Sequence, residues 1–218
     1  MNREVVLTAD GSTTLLDRDK QITYHSLHGA VQESVHVFIR NGLEQFLSQN
    51  EIQVLEMGYG SGLNALLTWN FAQLHQKKIE YTTFEKFPLE ADLVRQLHFA
   101  TADDEADKLL QLHQSSWGLA IRLSEYFSLT KLNDDFLNCT IQNKFNLVYY
   151  DAFAPSAQPE LWTPAVFRLI YNALDHNGML VTYCAKGQVK RDLKSVGFNV
   201  ETLSGPPGKR EMIRALKK

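Results

Sequence analysis

The sequence predicts an α/β fold: a largely parallel sheet with helices on both faces, finished by an antiparallel hairpin. Three observations carry this. Short apolar, β-branched runs recur along the chain. Segments with apolar residues at three-and-four spacing lie between them. The last two runs are joined only by "GPPGK", too short for a helical crossover.

In order, the predicted strands are "IQVLEM" (52–57), "IEYTTFE" (79–85), "FSLTKL" (127–132), "FNLVYY" (145–150), "GMLVTYC" (178–184), "FNVETLS" (198–204) and "REMIRAL" (210–216). The helices are "LNALLTWNFAQLHQ", "PLEADLVRQLHF", "TPAVFRLIYNAL" and "KGQVKRDLKSV", each amphipathic. Residues 1–50 precede the first strand and carry a helix with a polar lead-in within "YHSLHGAVQESVHVFIRNGLEQFL". The stretch 98–118, with "TADDEADKLLQLH", reads as an acidic helical insertion ending near Trp117. Six parallel strands and a seventh, antiparallel one make the layout of Rossmann-like methyltransferases. Residues 1–218 are expected to form one domain, with 1–50 covering a core over 51–218.

Composition narrows the function classes. The chain is 44% hydrophobic and 22% charged, as in soluble globular proteins. No run approaches the roughly 20 apolar residues of a membrane helix. The first residues lack a basic and then apolar signal, and the two cysteines, Cys139 and Cys184, have no metal-type spacing. A cytosolic protein with reduced thiols, no membrane partner and no metal is expected. Net charge is −3, but nine Lys/Arg against three Asp/Glu between Lys186 and Lys218 make that end +6 and the remainder −9. A basic end on an acidic body is either an anion-binding face or a solvated surface.

Two stretches carry chemistry. "LEMGYGSGLN" (55–64) places Gly58, Gly60 and Gly62 after the first strand and before a helix, where bare backbone approaches a ligand at a helix N-terminus. A dinucleotide fingerprint would want its third glycine at 63, where Leu stands. GxGxG with Glu56 two residues ahead suits S-adenosylmethionine better. Glu85 ends the second strand, where a carboxylate can accept both ribose hydroxyls. Asp135, or its neighbour Asp134, follows the third strand and can accept from the adenine amino group. The second stretch, "YYDAFAP" (149–155), ends a buried strand in Asp151, beside the point where the cofactor's methyl should project. A carboxylate there can orient an amine and steady the cationic product. "DAFAP" resembles the Asp/Asn-Pro-Pro-Tyr/Phe loop of amino-group methyltransferases, with Ala152 in place of the first proline. "PELWTPAVF" brings Trp162, a pocket wall or a core residue.

"EMGYGSGLN", "DAFAPSAQPELWT", "YCAKGQVKRDL", "GFNVE", "GKREM" and the upstream "GAVQESVHVFI" together resemble the methyltransferase domain of the MnmC family, over roughly residues 20–216. The resemblance implies a class I methyltransferase that methylates 5-aminomethyl-2-thiouridine at the tRNA wobble position. By position it makes Asp151 the catalytic aspartate and places Gly58, Gly60, Gly62, Asn64, Glu85 and Asp135 at the cofactor. Lys209 and Arg210 match a basic loop that could meet phosphate, and Lys186, Pro155 and Trp162 are further substrate-side candidates. Val35 departs from the family, where that position is commonly basic. The bifunctional relative adds a flavin-dependent oxidase, for which 218 residues leave no room, so no FAD is expected. Competing readings are a methyltransferase or aminopropyltransferase acting on a small amine, and a non-catalytic tRNA- or partner-binding module. The oligomeric state is unknown from sequence.

Overall fold

The structure, a computed structural model, describes residues 2–139, 141 and 144–218. The expected strands are present as β4 (Glu51–Met57), β5 (Lys78–Phe84), β7 (Phe127–Leu132), β8 (Phe145–Tyr150), β9 (Leu174–Thr182), β10 (Asn199–Ser204) and β11 (Glu211–Leu216). They form a sheet in the order β10-β11-β9-β8-β4-β5-β7 with one further strand, β6 (Ala120–Arg122), on the β7 edge. β4, β5, β7, β8 and β9 pair in parallel, while β11 runs antiparallel to both β9 and β10. The hairpin joined by "GPPGK" therefore inserts the last strand between its neighbours, as its short connection required.

The sheet is covered on both faces because its strands are apolar on both. Ile52, Val54, Leu147 and Tyr149 face one core, with α2 (Leu63–His75) and the entry segment. Leu55, Met57, Val148 and Tyr150 face the other, with α5 (Pro164–Ala173) and α6 (Gly187–Ser195). Alternation of period two puts Glu56 and Asp151 on the side of α2. The α5 start is written in sequence: Thr163 accepts from the Val166 N–H at 3.4 Å and Pro164 occupies the first turn, where its missing N–H is harmless.

The structure differs from expectation in four places. The polar lead-in at 1–23 folds as a three-stranded antiparallel sheet, β1 (Arg3–Leu7), β2 (Thr13–Asp17) and β3 (Ile22–Thr23). No residue of β1 is fully buried, so it lacks the alternation that would announce a strand. The predicted seven-stranded sheet has an eighth member, β6, a three-residue strand too short to leave a pattern. The helix expected over 88–99 shrinks to α3 (Ala91–Val94), since Ala100 takes a left-handed φ of 54° and the chain turns inward at Leu97 and Phe99. The entry helix is α1 (Ala30–Ser34), running on as a wide π-type turn over Val35–Arg40. The acidic insertion is helical as expected, α4 (Glu105–Gln114).

The small sheet is tied to the segment after β5. Thr13 N–H donates to the His98 carbonyl at 2.8 Å, and the Arg3 guanidinium donates to the Phe87 carbonyl at 2.9 Å. It thereby stands over the carboxyl ends of β4 and β5, beside the point where strand order reverses between β8 and β5. Ligands of open α/β sheets bind at such switch points.

Candidate active site

At this switch point lies a cleft of about 340 Å³, within the range of small-molecule sites. Gly58, Gly60, Asn64, Glu85, Asp134, Asp135 and Asp151 all line it. Gly58 holds φ +90° and passes so close to the next loop that a Cβ would sit 3.1 Å from the Asp151 carbonyl. Gly60, at φ +50°, donates its N–H to Glu85 Oε2 at 2.9 Å and lies against the Tyr24 ring. Glu85 Oε1 accepts from the Phe87 N–H at 2.7 Å, so the carboxylate is fixed by two backbone donors and keeps lone pairs for a diol.

Beyond Glu85 the wall is Phe84, Phe136 and Leu137, an apolar slot with Asp134 and Asp135 at its rim. Asp135 caps a short turn through the Leu137 N–H at 3.1 Å and pairs with Lys86 at 2.8 Å. Its hydrogen bond from Lys86 holds its pKa below the usual carboxylate range. Asp134 accepts from the Asp135 N–H at 2.7 Å. An aromatic slot, carboxylates at its edge and a carboxylate-bound glycine loop fit adenine, ribose and a methionine chain laid end to end, so these residues could hold S-adenosylmethionine.

At the other end of the cleft the chain aims Asp151 by pinning the residues around it. Asp151 N–H donates to the Met57 carbonyl at 3.1 Å and Tyr183 Oη to the Ala152 carbonyl at 2.9 Å. Phe153 N–H donates to Gln158 Oε1 at 3.0 Å, and the Trp162 indole to the Phe153 carbonyl at 2.7 Å. Asn64 Nδ2 then donates to Asp151 Oδ2 at 2.8 Å. Burial raises the Asp151 pKa well above the ordinary carboxylate value, helped by the charges of Glu33 and Glu56; Asn64 and Lys209 oppose the rise. A carboxyl so poised is a stronger proton acceptor once ionised, and it gains most from a cation arriving beside it.

Several sequence candidates lie outside the cleft wall. Glu56 is fully buried beneath the glycine loop, where Oε2 accepts from Thr83 Oγ1 at 2.8 Å. Burial pushes its pKa up to about 8. Gly62 caps α2 behind the cleft, packed against Tyr59 and His113. Trp162 is 5% exposed and packs on Tyr150 at 4.9 Å, a core residue that braces the Asp151 loop. Pro155 lies in that loop without lining the cleft. Lys186 and Arg210 are exposed. Lys209 turns inward, paired with the buried Glu33 and stacked 3.9 Å from the Tyr183 ring centroid. Elsewhere on the basic end, Lys190 pairs with Glu211 at 2.7 Å and Arg214 with Glu201 at 2.8 Å. Those two carboxylates are already counted in the +6, and Glu33, from outside the segment, offsets one further charge.

The cleft also contains residues that sequence reasoning missed. Arg3, Lys20, Tyr24 and His25 come from the small sheet and its exit, and Phe153 from the Asp151 loop. Tyr24 meets Phe153 edge-on at 4.9 Å across the opening. Burial lowers the His25 pKa to about 4, keeping its ring neutral, with Nδ1 3.1 Å from Thr14 Oγ1. Composition gave no signal for the first four: residues 1–29 hold a single Phe/Trp/Tyr, Tyr24, and three Lys/Arg against four Asp/Glu.

Known proteins are similar to this chain in sequence and in fold. A family model described as S-adenosyl-L-methionine-dependent methyltransferase matches residues 100–218. The tRNA 5-methylaminomethyl-2-thiouridine biosynthesis bifunctional protein MnmC of Cupriavidus necator is 31% identical over 226 residues, covering 97% of this chain and 34% of that protein. Its namesake in Paraburkholderia xenovorans is 29% identical over 205 residues, covering 87% and 31%. The chain thus spans about a third of the length of these curated relatives. The crystal structure of MNMC2 from Aquifex aeolicus superposes with a TM-score of 0.83 at 27% identity, covering 100% of this chain and 70% of that one. A spermidine synthase from Thermotoga maritima, at TM-score 0.55 and 13% identity, shares the fold. With a family model matched over more than half of its residues, the chain belongs to the S-adenosyl-L-methionine-dependent methyltransferases.

Proposed function

We propose that this protein methylates the exocyclic amino group of 5-aminomethyl-2-thiouridine at the tRNA wobble position, with Asp151 as its catalytic residue. The observation that carries the reading is the Asp151 carboxylate, pinned by Asn64 at the cleft end opposite the aromatic slot. Support for the substrate comes from the relatives' printed names and from the match of the whole chain to the Aquifex structure.

S-adenosylmethionine supplies an electrophilic methyl group when bound. Glu85 would hold its ribose and Asp135 or Asp134 its adenine, with Asp151 placed to meet the incoming amine. The amine nucleophile reaches the cleft mostly as an ammonium, and Asp151 takes a proton from it or orients its lone pair, then steadies the cationic product. Asn64 keeps that carboxylate from rotating away, since alignment to within a fraction of an ångström is what speeds an in-line displacement. Tyr24 and Phe153, closing the opening, exclude water from the reacting atoms.

Mass spectrometry of wobble nucleosides from cells with and without the protein tests the reading. Loss of the methylaminomethyl nucleoside, with its aminomethyl precursor accumulating, is expected. Unchanged wobble nucleosides would direct attention to a small amine as substrate. Lys190, Lys209 and Arg214 are spent on internal pairs and Lys217 donates to the Tyr171 and Leu174 carbonyls, so phosphate contacts on the basic end fall to Lys186, Arg191, Lys194, Arg210 and Lys218. A tRNA affinity that falls steeply with salt is expected if these residues, or Lys20 at the cleft, meet phosphate.

A further inference from the structure

The acidic insertion holds a feature that methyl transfer leaves unexplained. His113, in the last turn of α4, reaches across to the glycine loop and lies with Nε2 3.0 Å from the Ser61 carbonyl. That carbonyl sits between Gly60 and the Gly62 cap of α2, in a residue 1% exposed, and His113 is the donor that meets it among the described residues. The imidazole fills the space beside Gly62 so closely that a Cβ there would lie 2.9 Å from Nε2. Its ring also packs on Tyr59, centroids 5.0 Å apart.

Behind His113 stands Lys131, fully buried on β7. Its ammonium donates to the His113 carbonyl at 2.6 Å and lies over the Trp117 ring at 4.6 Å and the Tyr59 ring at 5.6 Å. Burying an ammonium is costly unless it is paired or hydrogen-bonded, and here a carbonyl and two ring faces offset the cost. Here Lys131 anchors the end of α4, and α4 carries the imidazole to the loop. Lys131, His113 and Ser61 form one chain of contacts from the third parallel strand to the turn that presents backbone to the ligand.

We propose that His113 is a positioning residue for S-adenosylmethionine, fixing the Gly60–Gly62 turn through its Nε2–H bond to the Ser61 carbonyl, with Lys131 and Trp117 holding His113 in place. This rests on the reading that the glycine loop holds the cofactor. Burial keeps the ring neutral, its pKa lowered to about 4, so a single tautomer must carry the proton on Nε2. Removing the donor leaves a buried carbonyl unpaired and lets the turn relax toward conformations that bind less well.

The test is calorimetric titration of S-adenosylhomocysteine into wild type, His113→Leu, His113→Gln and, as a control on the loop itself, Gly60→Val, with thermal unfolding in parallel. Leu keeps the bulk and loses the donor; the Gln amide can occupy the Nε2 position. The expectation is a roughly tenfold weaker complex for His113→Leu, the scale of one lost hydrogen bond to a buried acceptor, and recovery of most of that loss in His113→Gln. Two-bond proton–nitrogen spectra should show His113 as the Nε2–H tautomer between pH 5 and 8. Wild-type affinity in a folded His113→Leu, equal weakening in Leu and Gln, or an Nδ1–H tautomer would overturn the proposal. Wild-type affinity in Gly60→Val would instead overturn the placement of the cofactor on this loop.

Discussion

Replacing Lys209 by Met separates two roles that the sequence leaves superimposed. As a phosphate ligand Lys209 would face solvent, and its loss would weaken tRNA binding and leave folding untouched. In the structure its ammonium is paired with Glu33, whose side chain is 7% exposed, and stacks on Tyr183, whose hydroxyl holds the residue after Asp151. Glu33 also accepts from the Ser26 N–H at 2.8 Å, so it cannot swing out without releasing the entry segment. Breaking a buried pair from one side costs about 3–5 kcal/mol; with Lys209 32% exposed, water reaches the pair, and about 2–3 kcal/mol is the reasoned loss. Lys209→Met should lower the urea midpoint accordingly and slow methylation, because Lys209 also restrains the rise in the Asp151 pKa. Lys209→Met combined with Glu33→Gln should recover part of the stability, since no carboxylate is then left buried alone. An unchanged urea midpoint in Lys209→Met, with tRNA affinity the sole loss, would refute the internal clasp and restore the phosphate role.

Gly60→Val should abolish measurable S-adenosylhomocysteine binding, because φ of +50° and the Tyr24 ring 3.0 Å from the new Cβ both oppose a branched side chain; calorimetry on folded variant checks it. Lys131 makes stability depend on alkaline pH. Its pKa falls from an ordinary 10.5 to about 8 on burial, so between those values the unfolded chain binds more protons and stability rises with pH. Tyr59 and Tyr81, whose burial raises their pKa values, act oppositely only above about pH 10. Urea midpoints of wild type minus Lys131→Met between pH 7.5 and 9.5 should therefore climb; a flat difference would show the ammonium is as comfortable inside as outside.

The seven strands were legible because each is a run of at least six residues between clear turns, and the closing hairpin because "GPPGK" is too short for a crossover. Gly58, Gly60, Glu85, Asp135 and Asp151 were legible as site candidates because strand ends converge at a switch point whatever the side-chain packing, and Asn64 through the family resemblance alone. The cover was not. β1 is half-buried along most of its length and gives no period, so Arg3, Lys20 and Tyr24 could not be placed over the cleft. Lys209 and Glu56 misled for one reason: a charged residue in a motif says nothing of which way it faces. The structure puts Lys209 against Glu33, 176 residues away in sequence, and Glu56 under the loop it precedes. Trp162, open to both readings in sequence, is settled by its indole bond to Phe153.

Single-turnover methylation of tRNA carrying 5-aminomethyl-2-thiouridine, by wild type and by Asp151→Ala with cofactor affinity measured alongside, tests the central claim most directly. The wild type should transfer one methyl group to the side-chain nitrogen. Asp151→Ala should bind cofactor normally, as Glu85 and Asp135 lie at the other end of the cleft, yet react about 10²–10⁴-fold more slowly, the range of a lost acid–base group. Methylation by Asp151→Ala at the wild-type rate would contradict the account and leave this carboxylate as a turn residue.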